Sequence, residues 1–254
     1  MVFCDWLNST ASVASPLANK PLLIRIHRHE IYHPELIEAV NWNAVNAVVA
    51  VSHGYERVIR SVIKRIAVHT IYNGVDLDRF RFEPCVSGLV CNYAFHSGMK
   101  RSYDLMLALR DFELCIGGAD GEEGHDMPVM KSAIDRFGLR HKLYGYVDLP
   151  AWLHDKEYFV THSMDEGCPV ALLETMASGL ICLSHENRVA KEILPDQYCY
   201  RYDDELISKL RFFKGLPDQE RFEHKLKMRK IVESQFDVKE QANAFRKLFL
   251  SCLS

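Results

Sequence analysis

The chain alternates short, nearly continuous apolar runs with longer amphipathic stretches, and that alternation leaves few folds open. Runs such as Leu22–Ile26, Ala47–Val51, Tyr158–Thr161 and Ile181–Ser184 have little or no polar face. A strand that is apolar on both sides must be covered on both sides. Further strands are expected at Val2–Cys4, His69–Tyr72, Leu89–Tyr93, Glu113–Ile116 and Lys142–Tyr146. Between them, helical patterns occupy Pro34–Asn43, Tyr55–Arg65, Ser102–Leu109, Pro128–Phe137, Leu149–His154 and Val170–Ser178. Strands and helices in alternation specify an α/β fold with parallel sheets. Apolar residues make up 48% of the chain, enough for a packed core. Ligands of such sheets bind at the carboxyl ends of the strands.

Polar or small residues stand at several of those ends: His27, Ser52-His53, Asn73-Gly74, Gly117-Gly118 and His162-Ser163. Turns favour such residues for conformational reasons alone, so none marks a site by itself. Arg25, alternating with His27, reads as polar trim at a sheet edge. His27 and His29 form an H-x-H without further ligand spacing, and no metal is expected. An irregular stretch over Asp78–Ser87 marks a boundary. The expected parts are a partial N-terminal domain over 1–82, a fuller α/β domain over 83–214, and C-terminal helices over 215–254. The last part is a long amphipathic pattern from Asp218 to Leu253, interrupted near Phe236-Asp237.

A net charge of −3 argues against a nucleic-acid partner. Lys225–Lys230, K-L-K-M-R-K, is the one basic cluster and reads as a solvated helix face. None of the eight cysteines forms a C-x-x-C pair, and several sit in apolar runs, as reduced buried thiols do. No apolar run is long enough for a membrane helix, and the N-terminus lacks the basic start of a signal peptide. The expected setting is cytoplasmic, with at most peripheral membrane contact.

The most informative segment is Asp165–Gly179, D-E-G-C-P-V-A-L-L-E-T-M-A-S-G. Pro169 suits the first turn of a helix, and Gly179 the left-handed position after its end. Glu166 then lies in the loop before the helix and Glu174 halfway along it. The helix N-terminus, near Cys168 to Ala171, offers N–H groups to an anion such as a diphosphate. Two glutamates at this spacing would ordinarily be solvated surface groups.

The surrounding letters change that. The run S-M-D-E-G-C-P-V-A-L-L-E-T-M-A-S-G-L between two strands resembles the E-x7-E region of family-4-type retaining glycosyltransferases (glycosyl transferases group 1). Their usual pattern there is S-x-x-E-G-x-P-x-x-x-x-E-A-M-A-x-G-x-P. Ile71–Asp76 with Phe80, Lys100 in G-M-K-R-S-Y-D-L, Leu114–Gly118, Leu143–Val147 and Gln235-Phe236 resemble further family segments. The resemblance implies a GT-B fold: two Rossmann-like parallel-sheet domains, the last helix returning to the first. It implies a nucleoside diphosphate sugar, UDP- or GDP-linked, as donor, retention of configuration, and no metal or other cofactor. By the same resemblance Glu174 holds the ribose hydroxyls, Glu166 contacts the donor sugar, and Lys100 neutralises the diphosphate. His27 looks like the family's strand-terminal histidine near that sugar. Gly117, Gly118, Gly167, Cys168, Pro169 and Val170 fall at donor-binding positions.

Two departures qualify the resemblance. The family's G-R, a few residues before its lysine, is Ala94-Phe95 here, and Arg101 replaces the glycine after Lys100. Arg101 could supply the lost charge from a different backbone position, with His96 a weaker candidate. The N-terminal domain is also short for the family, so its sheet is expected to be incomplete. Two functions therefore stand side by side. One is a hexosyltransferase-type enzyme acting on a glycan, lipid or other acceptor. The other is a non-catalytic nucleotide-sugar-binding module, or one subunit of a two-chain enzyme. A complementary N-terminal chain or a homo-oligomer would be its partner.

Overall fold

Residues 1–17, 19–121 and 126–253 are described by the computed structural model, and the named strands pair in parallel throughout. Contacts divide the chain into two units. The first contains Met1–Gly74, Glu166–Cys168 and the stretch from Val238 onward; the second contains Val75–Asp165 and Pro169–Asp237. The division falls at Gly74/Val75, earlier than the expected boundary, and splits the expected C-terminal part at Val238.

The first unit opens with β1 (Val2–Cys4), α1 (Ser9–Leu17), β2 (Leu22–Ile26), α2 (Arg28–Ile31) and α3 (Pro34–Glu38). It continues with β3 (Ala47–Ala50), α4 (His53–Val62) and β4 (Ala67–Thr70). Its sheet runs β1-β2-β3-β4. β2 and β3 are interior and buried at every residue, which is why they read as continuous apolar runs. The two-residue period of a strand divides them between two cores. Leu22, Ile24, Ile26, Val48 and Ala50 join Leu7, Ala11 and Ile59 in one core, while Leu23, Ala47 and Val49 join Ile71 in another.

The helix expected over Pro34–Asn43 stops at Glu38. Asn41 donates its N–H to Ser15 Oγ at 3.0 Å, and the Ile37 carbonyl accepts from Trp42 Nε1 at 2.8 Å. Side chains thus take the groups that the next helical bond needs. Ser52 and His53 are likewise absorbed into local structure. Ser52 caps α4, accepting from the Tyr55 N–H at 3.3 Å, and His53 is its first residue.

The second unit holds β5 (Val90–His96), α5 (Ser102–Ala108), β6 (Leu114–Asp120), α6 (Asp126–Phe137), β7 (Lys142–Gly145) and α7 (Leu149–Leu153). It continues with β8 (Tyr158–Thr161), α8 (Val170–Ser178), β9 (Ile181–His185), α9 (Ala190–Ile193), β10 (Cys199–Tyr200), α10 (Asp203–Gly215) and α11 (Asp218–Gln235). Its sheet runs β10-β9-β8-β5-β6-β7, so the winding reverses between β8 and β5. In open α/β sheets ligands bind at such a switch point, outside the carboxyl ends of the two strands. α10 was legible but missed: Leu206, Leu210 and Phe213 form its buried stripe, behind acids in the first turn.

The basic run in α11 is not a solvated face throughout. Lys225 is 2% exposed, 2.6 Å from the buried Glu157 carboxylate, and it also donates to the Cys85 carbonyl at 2.5 Å. The break at Phe236-Asp237 appears as expected, with the Phe236 carbonyl accepting from Val75 N–H at 2.7 Å. The final helix, α12 (Val238–Ser251), belongs to the first unit, where Phe245, Leu248 and Phe249 cover the Leu23–Val49 core.

Candidate functional site

In the second unit, β5 ends at His96 and the chain turns through Ser97–Lys100 into α5. The turn is fixed by Lys100 and Arg101 N–H groups donating to the Ser97 carbonyl. The Met164 N–H donates to the Met99 carbonyl at 3.0 Å, which joins this turn to the loop after β8. Lys100 is thereby placed at the switch point. Arg101 has φ 53°, the left-handed region where a glycine carries no penalty. This conformation explains a K-G pattern at such a turn.

The Arg101 guanidinium lies 3.2 Å from Asp104. Burial, followed by the Arg101 charge, holds His162 at the end of β8 down to about 4. The same causes, in the same order, lower His185. Arg101 therefore projects its charge over the carboxyl ends of β8 and β9. His96 is fully buried, and burial lowers its pKa. Its Nδ1 lies 2.8 Å from Ser102 Oγ, which donates in turn to Asn92 Oδ1 at 3.4 Å.

Gly117 and Gly118 both have packing reasons. A Cβ on Gly118, at φ 122°, would lie 1.9 Å from the Ala94 carbonyl oxygen. A Cβ on Gly117 would press on Tyr93 and Trp152 at 3.2 Å. Glycine lets β6 approach β5 this closely.

α8 begins at Val170, with Pro169 as its N-cap rather than within its first turn, at ψ 101°. A proline followed by helix loses nothing in either position, since its missing N–H would be unpaired anyway. Gly179 closes the helix at φ 93°. Glu174 stands midway along α8, half-buried, and burial pushes its carboxyl up to about 7, against the opposing charge of Arg79. A half-buried carboxyl group raised this far by burial is a functional-site candidate.

Glu166, Gly167 and Cys168 pack with the first unit. Glu166 is buried. A Cβ on Gly167 would meet Arg28 and Val51 at 3.2 Å, and the Cys168 carbonyl accepts from Asn73 Nδ2 at 2.8 Å. The Asp165–Gly179 segment is thus divided, Glu166 among first-unit residues and Glu174 among second-unit residues.

His27 follows β2 and caps the short α2. Its N–H donates to Glu30 at 2.8 Å, its ring stacks on Trp6 at 4.0 Å, and Nε2 lies 3.8 Å from Asp5. Burial and then the Arg25 charge lower its pKa, with Asp5 opposing. His29 does not pair with it, because the strand ends at Ile26; His29 packs instead on the His33 ring at 4.3 Å. Arg25 is not edge trim. It is buried on an interior strand, bonded to Asp5 at 3.1 Å and Asn73 at 2.6 Å, over the Phe245 ring. Asp5, Trp6 and Glu30 were missed, although Asp5-Trp6 follows the first strand directly. The rule applied to the other strand ends singles out that position.

Residues 96–209 match the family model for glycosyl transferases group 1. Over that stretch, just under half of the chain, the sequence is similar to the group 1 glycosyltransferases. The stretch spans the Lys100 turn, Gly117-Gly118 and the whole Asp165–Gly179 segment. Among solved structures, HepE of Anabaena in complex with UDP and glucose superposes with a TM-score of 0.82 at 19% identity, covering 94% of this chain and 74% of that one. Sucrose-phosphate synthase of Thermosynechococcus elongatus gives a TM-score of 0.83 at 15% identity, covering 99% and 73%. A GtfA/B complex gives 0.70 at 15% identity, covering 91% and 53%. These likenesses establish the GT-B glycosyltransferase fold. No curated protein sequence matches.

Proposed function

We propose that this chain transfers a sugar from a UDP- or GDP-linked donor to a glycan, lipid or other acceptor, with retention of configuration and without a metal. The observation that carries this is Glu174, a desolvated carboxylate halfway along a helix whose N-terminus follows the E-G-C-P loop, inside a matched family domain. Two ribose hydroxyls donating to that carboxylate would replace the water it has lost.

Departure of a nucleoside diphosphate needs aimed N–H groups and positive charge more than a strong base. The N–H groups of Val170 and its neighbours lack acceptors within α8, and Lys100 with Arg101 stands at the same end of the sheet. Glu166 and His27 are assigned to the donor sugar by family resemblance. Calorimetric titration with UDP-glucose and GDP-mannose, followed by donor hydrolysis and transfer assays, tests the proposal. Absence of binding to either donor, with Glu174→Ala indistinguishable from the parent chain, would refute it.

One observation favours a second reading, a nucleotide-sugar-binding module or one subunit of a two-chain enzyme. Ala94 and Phe95 occupy the family's Gly-Arg positions, and Phe95 is 63% exposed near the end of β5 where a guanidinium is expected. Tight donor binding without turnover on any acceptor would select it.

A further inference from the structure

Trp6 stands just beyond the carboxyl end of β1 with 47% of its surface exposed. Single exposed aromatics are common. This one differs in how firmly it is held. Its ring lies face to face with the His27 imidazole, centroids 4.0 Å apart and planes 13° from parallel. Its neighbours are fixed on both sides. Leu7 is fully buried, and its N–H donates to Glu30 Oε1 at 3.1 Å; the other oxygen of the same carboxylate accepts from the His27 N–H. Asp5 is bonded to Arg25, which Asn73 holds from the other side. The indole is thus clamped between two anchored residues and rests face to face on the His27 ring.

Beside this platform the Asp5 carboxylate remains 52% exposed. A flat apolar face next to a half-exposed carboxylate, held on its other side by Arg25, matches a pyranose ring, which carries C–H groups on its faces and hydroxyl donors around its rim. Because Trp6 and Asp5 are already ordered, a sugar would lose little to their immobilisation.

We propose that Trp6 and Asp5 form a pyranose subsite that seats a carbohydrate acceptor. Its role as an acceptor seat rests on the transferase function proposed above; the sugar contact itself needs no donor. A donor hexose has the same chemistry, and separate titrations distinguish the two sources.

Saturation-transfer NMR on the full chain would use maltotriose and the methyl pyranosides of glucose, galactose, mannose and N-acetylglucosamine, without nucleotide. Calorimetry with UDP-glucose and GDP-mannose would run in parallel. At least one free sugar is expected to bind saturably. Trp6→Ala should weaken it about tenfold and Trp6→Phe should largely restore it. Nucleotide-sugar affinity should be the same in the parent and in Trp6→Phe, which keeps an aromatic ring against His27. Unchanged thermal melting of Trp6→Phe controls for folding. The subsite is overturned if no sugar in the panel binds, or if Trp6→Ala binds as tightly as the parent. Displacement of the bound free sugar by UDP-glucose but not by UDP would move the pyranose to the donor and overturn the acceptor assignment. Sugar binding without any nucleotide-sugar binding would sink the transferase function and leave the contact standing.

Discussion

Glu174→Gln separates the energetic burden of a buried carboxylate from its use. The Glu174 carboxyl moves from an ordinary 4.5 to about 7, first through burial and against the Arg79 charge. Its folded pKa lies above its unfolded one, so the native state holds the proton more tightly. Below about pH 4.5 both states are protonated and nothing is lost. Between 4.5 and 7 stability falls as pH rises, and above 7 the loss is complete. At about 1.4 kcal/mol per pH unit, the shift from 4.5 to about 7 corresponds to a loss of about 3.4 kcal/mol before screening. Partial exposure screens the carboxylate, and about 1 to 2 kcal/mol is the expected net.

Glutamine has nearly the same shape and no charge to desolvate. Urea unfolding at pH 5 and pH 8 should therefore show the variant gaining about 1 to 2 kcal/mol on the parent between those two conditions. Donor binding should respond oppositely. A nucleotide sugar carries no titrating phosphate in this range, so its affinity for the parent should rise about tenfold from pH 6 to pH 8 as Glu174 ionises. In Glu174→Gln it should be weaker and flat with pH. A stability difference that does not change between pH 5 and pH 8 would refute the desolvation argument. A flat affinity profile in the parent would refute the carboxylate as a ligand group.

Gly118→Ala should fail to fold stably, with a cost of about 3 kcal/mol or more, because its Cβ would sit 1.9 Å from the Ala94 carbonyl; soluble yield and thermal melting report it. Arg101→Gly should leave stability unchanged or raise it by up to about 1 kcal/mol by relieving the left-handed backbone at φ 53°. The same variant should bind donors several-fold more weakly; unchanged calorimetric affinity would remove Arg101 from the diphosphate site. Lys225→Met should cost about 3 kcal/mol, since Glu157 is 1% exposed and, among the described residues, would keep the Arg221 ion pair at 3.1 Å but lose the one at 2.6 Å. A shifted urea midpoint with no change in donor affinity is the expected pattern.

Strand positions and parallel pairing were legible because burial on both faces leaves an unmistakable apolar run, as in Leu22–Ile26 and Tyr158–Thr161. Element ends were less so. β5 and β6 continue to His96 and Asp120, beyond their apolar runs, because Gly118 allows the ladder to extend past the core. The helix expected through Asn43 ends early because Ser15 and Trp42 divert its bonds, and no local pattern announces a partner from elsewhere in the chain.

The site divides along the same line. Glu174 could be placed from Pro169 and Gly179, since capping is local. Its raised pKa could not, because desolvation depends on what packs around α8. Arg25 shows the converse. As a charge in an apolar run it looked like trim, yet it is buried because Asp5, Asn73 and the Phe245 ring converge on it from three separate stretches. That convergence also holds Asp5 beside Trp6. A misread charge on an interior strand and an overlooked pair after the first strand were thus one error. Both follow from judging strand ends singly, when parallel neighbours bring them to the same edge.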